Sequence, residues 1–166
     1  QEADRITLAV PAHEAAPLLA GADPAAAGAL AGVDHAPRVT VALGWARGGA
    51  APTSLDGAGF VRGNARVRAL GGLWWSRLDP STTPPGHDLV ALGYGGDDDR
   101  AALDLDDRDL RRWAVRDLSR VLRRRVRPSF VHIARAPRGY ELPHPGHRAR
   151  WVPHEQRLAA GGVHLA

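Results

Sequence analysis

The 166-residue sequence contains no cysteine, no methionine and no lysine. Without cysteine there is no disulfide, no thiolate nucleophile and no Cys-type zinc site, an absence that fits a reducing cytosol. Without lysine, all 22 basic residues other than histidine are Arg. Beside abundant Ala, Gly and Pro, that reads as the coding bias of a GC-rich genome, not as guanidinium geometry chosen site by site. Without methionine there is no initiator, so the sequence reads as a processed chain or an internal segment. No apolar run approaches the ~20 residues of a membrane-spanning helix, and the N-terminus lacks the charged-then-apolar layout of a signal peptide. Missing too are a G-x-G-x-x-G turn after a strand, a Walker loop, G-x-S-x-G and H-E-x-x-H, so no self-sufficient catalytic constellation is visible.

What is present suffices for a core. Apolar residues make up 44% of the chain, and this length buries a sizeable interior in one domain or a piece of one. The net charge of +4 is carried by Arg spread along the chain. Scattered in this way it does not imply nucleic acid as a partner.

Periodicity orders the segments. Arg5 to Val10 (RITLAV) is a short apolar run that Pro11 closes, and it reads as a buried strand. Ala- and Leu-rich sequence broken by Pro17 and Pro24 predicts two short helices. Arg38 to Trp45 alternates, with Val39, Val41 and Leu43 on one face of a strand. GGAAPTSLDGAG has turn chemistry and reads as a loop. GFVRG, VRALGGLWWSRL and DLVALGYGG are three further strand candidates, the second placing Trp74 and Trp75 on opposite faces. LDLDDRDLRRWAVRDLSRVLRRRV predicts a helix with acidic residues first (Asp104, Asp106, Asp107) and Arg123 to Arg125 last, the polarity its dipole favours. Leu110, Trp113, Ala114, Leu118, Val121 and Leu122 form its apolar stripe, and Pro128 ends it. SFVHIA is a strand, RAPRGYELPHPGH (Arg135 to His147) a loop, His154 to Ala160 a short helix, and GGVHLA a strand interrupted before its end. The expected architecture is α+β: a mostly antiparallel sheet of about five to seven strands with one long amphipathic helix packed on it.

Three features invite chemistry and each has a plainer reading. His144 and His147, with His154 beyond, suggest a metal, but Pro143 and Pro145 bracket His144, so no helix aligns the pair, and solvent-facing loop histidines explain them better. The Asp-rich GGDDDRAALDLDD lacks the alternation, central Gly and terminal Glu of a calcium loop, and suits a helix start. The Arg-rich helix suits an anionic membrane surface, yet its acidic residues alternate with Arg at a spacing that favours pairing within the helix.

Taken together and in order, ITLAVPAHEAAPLL, APRVTVALGW, LDGAGFV, LGGLWWSRLDP, LVALGYGG and LDLDDRDLRRWAVRDLSRVL resemble the C-terminal half of the protoporphyrinogen/coproporphyrinogen oxidase family, which belongs to the amine-oxidase-like flavoenzymes. The opening RAPRGYELPHPGH then resembles a flavin-side element of that family. Arg135, Pro137, Arg138, Gly146 and His147 match it, whereas Ala136 stands in place of Trp, and Glu141, Leu142 and Pro143 in place of Pro-Gln-Tyr.

The resemblance implies a division into residues 1–34 on the flavin side, 35–134 as the substrate-domain sheet with its helix, and 135–166 returning to the flavin side. It implies FAD as hydride acceptor and a tetrapyrrole substrate, protoporphyrinogen IX or coproporphyrinogen III, in heme biosynthesis. Carried over by position, Ala58, Val61, Leu73 and Gly93 line the substrate wall, and Ala136 and His154 lie toward the cofactor. Arg62 and Arg77 are candidates for the substrate carboxylates. Small and aliphatic residues on consecutive strands suit a sheet core equally well. The dinucleotide fold is not in the sequence, so a flavin-binding partner segment is expected for activity. The expected location is cytoplasmic, with possible peripheral contact at the inner membrane face.

Overall fold

A computed structural model describes residues 3–46 and 58–165. The chain divides into two compact units, Gln1–His35 with Glu141–Ala166, and Ala36–Tyr140. The expected GGAAPTSLDGAG loop lies almost entirely outside the described residues.

In the first unit, β1 (Ile6–Leu8) pairs in parallel with β7 (Val163–Leu165). The strand is short and its residues are exposed or half-buried, with Ile6 at 50% exposure. The buried strand expected over Arg5 to Val10 is therefore not found, because pairing reaches only three residues and Pro11 turns the chain into α1 (Ala12–Leu19). Pro17 sits inside α1 without breaking it. A proline forfeits one N–H bond and crowds the preceding turn; here Ala15, Ala16 and Leu19 are buried around it. Pro24 opens α2 (Pro24–Ala31) at its first position, where no N–H partner is lost, and the Asp23 carboxylate accepts the Ala26 N–H at 2.9 Å.

The second unit is built on a five-stranded sheet of order β3-β4-β5-β2-β6. Its strands are β2 (Asp34–Ala46), β3 (Gly59–Val61), β4 (Gly71–Trp74), β5 (His87–Gly95) and β6 (Phe130–Leu142). The pairs β2–β5, β3–β4 and β4–β5 are antiparallel. β4 ends at Trp74, and Trp75 begins a helical turn, α3 (Trp75–Leu78). The two tryptophans thus do not share a strand. Trp74 is in the core and meets Trp45 edge-on, while Trp75 is 39% exposed.

Alternation decides which side of the sheet is covered. Val39, Val41, Leu43, Val90, Leu92, Tyr94 and Trp74 are buried on one face. Against them packs α4 (Asp107–Val121), through Leu110, Ala114 and Leu118. Asp106 caps the helix by accepting the Asp109 N–H at 2.7 Å. The helix ends well before Pro128. Arg123 turns at φ 50 and the Arg124 N–H reaches back to the Ser119 carbonyl at 3.0 Å, closing the last turn in the Schellman manner.

The segment Arg135 to Leu142 is strand, not loop, since β6 runs through it. β6 lies at the sheet edge, where one side of the strand needs no ladder partner, so Pro137 is tolerated. α5 (His147–Ala160) also begins earlier than His154. Gly146 makes the turn at φ 82, and burial of Leu158 with half-burial of Trp151 holds the helix through Pro153. Among the described residues no helix is long and apolar enough to cross a membrane.

One buried carboxylate ties the helix to the sheet. Asp117 is fully buried, and its Oδ2 accepts the backbone N–H groups of Arg68 and Ala69, each at 2.9 Å, and the Tyr94 hydroxyl at 3.4 Å. Arg68 forms a two-pronged pair with Asp99 at 2.8 Å. Replacing Asp117 by Ala leaves two amides without an acceptor, which is expected to cost roughly 2–5 kcal/mol of stability by urea unfolding, with Asp117→Asn costing less because an oxygen remains. Burial, and then the Asp117 carboxylate, push the Tyr94 phenol well above the usual tyrosine range. A phenol held neutral by the fold contributes stability below its unfolded value, so stability is expected to fall as pH rises beyond about 10, and Tyr94→Phe to flatten that slope.

Candidate functional site

The face of the sheet away from α4 carries small side chains. Register places Val61 beside Gly71 and Gly71 beside Gly93, with Thr40 next in the same row. The adjacent row is Gly59, Leu73, Ala91 and Ala42. Val61 is 86% exposed, Leu73 is 46% exposed, and Thr40, Ala42, Ala91 and Gly93 are half-buried. Three of the four residues assigned to a substrate wall, Val61, Leu73 and Gly93, therefore share one open apolar face. Ala58 lies just ahead of β3, exposed, where its carbonyl accepts the Trp74 N–H at 2.8 Å.

The same face holds residues that the sequence did not single out. Arg38 is cross-strand to Gly95, two residues along β2 from Thr40. Its guanidinium lies over the Tyr140 ring, 5.4 Å from the centroid. A Cβ built on Gly93 meets nothing nearer than the Tyr140 hydroxyl at 3.5 Å, so Tyr140 leans over the middle of the face. At the far end, Gly44, Leu89 and Phe130 join Thr82, Thr83, Pro84 and His87 around a cavity of about 330 Å³. Phe130 is 53% exposed, large and apolar. Its position in SFVHIA marked it as a strand residue, but only the β2–β6 neighbourhood shows that it stands beside Gly44. None of Ala58, Val61, Leu73 and Gly93 lines this cavity.

Arg62 and Arg77 separate. Arg62 lies 3.7 Å from Asp98 and lines a different groove, near the end of α4, whereas Arg77 is exposed on α3.

The residues assigned to the cofactor lie in different units. Ala136 is half-buried in β6. His154 is half-buried on α5, stacked on Trp151 with ring centroids 5.5 Å apart, and its Nδ1 faces an Arg157 nitrogen at 2.9 Å. It lines a cleft of about 290 Å³ with His144, His147, Asp34 and Trp151. His144 pairs with Asp34 at 2.7 Å. Among the described residues no group of three or more His, Cys, Asp or Glu is placed to hold a metal ion.

The starts of α1 and α2 do not fit the pyrophosphate of a dinucleotide, which takes free amides at a Gly-rich helix start. The first amide of α1, Ala12 N–H, is already given to Glu141 Oε1 at 3.0 Å, and α2 begins with Pro24 under the Asp23 cap. Glu141 stands where the resembled family has the first residue of Pro-Gln-Tyr, so that substitution has a structural use here.

The family model for "Flavin containing amine oxidoreductase" matches residues 1–166. Among solved structures, the chain is similar to the "putative protoporphyrinogen oxidase" of Exiguobacterium sp. 255-15, with 21% identity and a TM-score of 0.69. That match covers 100% of this chain and 36% of the other. It is also similar to a reduced UDP-galactopyranose mutase, with 10% identity and a TM-score of 0.71, over 99% of this chain and 35% of the other. The chain thus spans about a third of the length of either protein.

Gly72 and Gly93, on opposite faces of the sheet, are expected to respond differently to an added methyl group. On Gly72 a Cβ falls 2.5 Å from the Phe60 ring and 2.7 Å from a Leu92 methyl, so Gly72→Ala overpacks the core and costs about 1–3 kcal/mol. Gly93→Ala enters the open face and leaves the melting temperature nearly unchanged. Thermal unfolding of the two variants checks this.

Proposed function

This chain belongs to the flavin-containing amine oxidoreductase family, and on that premise we propose that it carries the substrate-side portion of an FAD-dependent porphyrinogen oxidase. Its substrate is protoporphyrinogen IX or coproporphyrinogen III, and the open face of the second unit receives the macrocycle. The observation that carries this reading is the single cross-strand row Val61–Gly71–Gly93 beside Leu73, flat, apolar and short of side chains. A tetrapyrrole is broad, flat and apolar in its middle, so it buries area against such a surface at ~25 cal/mol per Å² before the costs of binding. Fold likeness does not choose the substrate, because the mutase matches as well as the oxidase. What favours a porphyrinogen is the order of sequence segments from ITLAVPA to the Gly146–His147 pair.

In this reading the dinucleotide grip comes from a partner polypeptide segment, since the starts of α1 and α2 do not fit it, and this chain supplies binding and orientation. The setting is cytoplasmic, or peripheral at the inner membrane face. A second reading has support in Glu141: with its carboxylate engaged at Ala12, the altered element suits a non-catalytic tetrapyrrole-binding module.

Titration with protoporphyrin IX, followed by Soret absorbance and tryptophan quenching, tests the shared premise. Micromolar binding is expected, weakened about tenfold or more by Leu73→Asp or Val61→Asp, and unchanged by Leu18→Asp on α1, another exposed leucine. Absence of a spectral shift at micromolar porphyrin overturns both readings. Adding a flavin-binding segment with FAD then separates them: porphyrinogen oxidation supports the enzyme, and binding without turnover supports the module.

A further inference from the structure

A second groove, bordering the open face at Val61, collects positive charge. It has a volume of about 550 Å³ and is lined by Phe60, Val61, Val67 and Val121, with Arg62, Arg66, Arg120 and Arg123 around them. Among the described residues no carboxylate lines it. Among the described residues, the acidic partner recorded for these arginines is Asp98, 3.7 Å from Arg62 and itself 85% exposed, a separation and exposure at which neutralisation is weak. Among the described residues the guanidiniums of Arg66 and Arg123 have no hydrogen-bonding or ionic partner. Arg120 is held in place by the Arg66 carbonyl, to which its Nη1 donates, and its remaining N–H groups stay available.

The backbone adds an independent observation. Arg123 occupies the left-handed position that ends α4, at φ 50. Glycine is the usual residue there, because a Cβ strains that conformation. A long cationic side chain at such a position is disfavoured by the fold alone, and this one lines the groove.

We propose that this groove binds a ligand presenting two phosphoryl groups close together. A terminal phosphate carries about −1.5 to −2 charge at pH 7 and a phosphodiester headgroup carries a single negative charge, so two terminal phosphates or a cluster of headgroups match four guanidiniums, and the guanidinium fork grips phosphate oxygens two at a time. The valines and Phe60 between the arginines accept an apolar stem next to the charged head. A soluble diphosphate and clustered phospholipid headgroups present the same chemistry.

The test uses the full chain with two probes, inorganic pyrophosphate followed by calorimetry and thermal shift, and vesicles of phosphatidylcholine with or without phosphatidylglycerol followed by co-sedimentation. Binding to at least one probe is expected at low salt and is expected to weaken steeply as salt rises. Pyrophosphate binding alone assigns a soluble ligand, vesicle binding alone a headgroup surface. Three variants separate groove from bulk charge. Arg120→Gln with Arg123→Gln should lower affinity at least tenfold. Arg108→Gln with Arg111→Gln, an equal loss of charge on the exposed start of α4, should leave it within twofold. Arg123→Gly should hold or raise the melting temperature while weakening binding. No binding to either probe, or equal weakening by the Arg108/Arg111 pair, overturns the proposal.

Discussion

The two-residue period of the central strands is the constraint on which the second unit depends. β2 and β5 present large apolar residues on one side and small ones on the other, from Val39/Thr40 to Leu43/Gly44 and from Val90/Ala91 to Leu92/Gly93. A sheet with such strands buries one face and can bury only one, because α4 has a single apolar stripe and covers a single layer. The other face is left uncovered by α4, with glycine, alanine and threonine along its centre and Tyr140 and Phe130 standing over it. Core and candidate site are thus two consequences of one pattern, and a shift of register by one residue would exchange them.

Asp117 keeps that arrangement in register from the helix side. By accepting both the Arg68 and Ala69 amides it fixes the segment that leads into β4, and its contact with Tyr94 reaches β5. Arg68 and Arg116 add guanidinium contacts to the Trp113 ring, at 5.1 and 3.3 Å from its centroid. The position of Val61 on the open face and that of Arg62 and Arg66 in the cationic groove are thus set by one chain segment, whose far end is anchored in the core. The two surfaces share Val61.

Membership of a flavin-containing family, a span of about a third of the matched structures, and helix starts already occupied by Glu141 and Asp23 are consistent with one another. The starts of α1 and α2 leave no free place for a dinucleotide pyrophosphate. Four histidines of the first unit are accounted for locally: His144 pairs with Asp34, His154 stacks on Trp151, and His13 meets His35 edge-on.

The sequence alone determined the α+β class, the alternating strands around Val39 to Leu43 and Val90 to Tyr94, and the buried stripe of α4, because side-chain period is a local property that hydrophobic burial reads directly. The family resemblance singled out Ala58, Val61, Leu73 and Gly93, and it is the strand register that puts the last three on one face. Only the tertiary structure decided that RAPRGYEL is an edge strand, since Pro137 is forbidden or allowed according to which neighbours a strand has. Only it paired Asp117 with amides about fifty residues earlier in the chain, and brought Arg62 and Arg66 to Arg120 and Arg123. Contacts between residues far apart in sequence leave no period behind, so their chemistry appears when the chain has folded and not before.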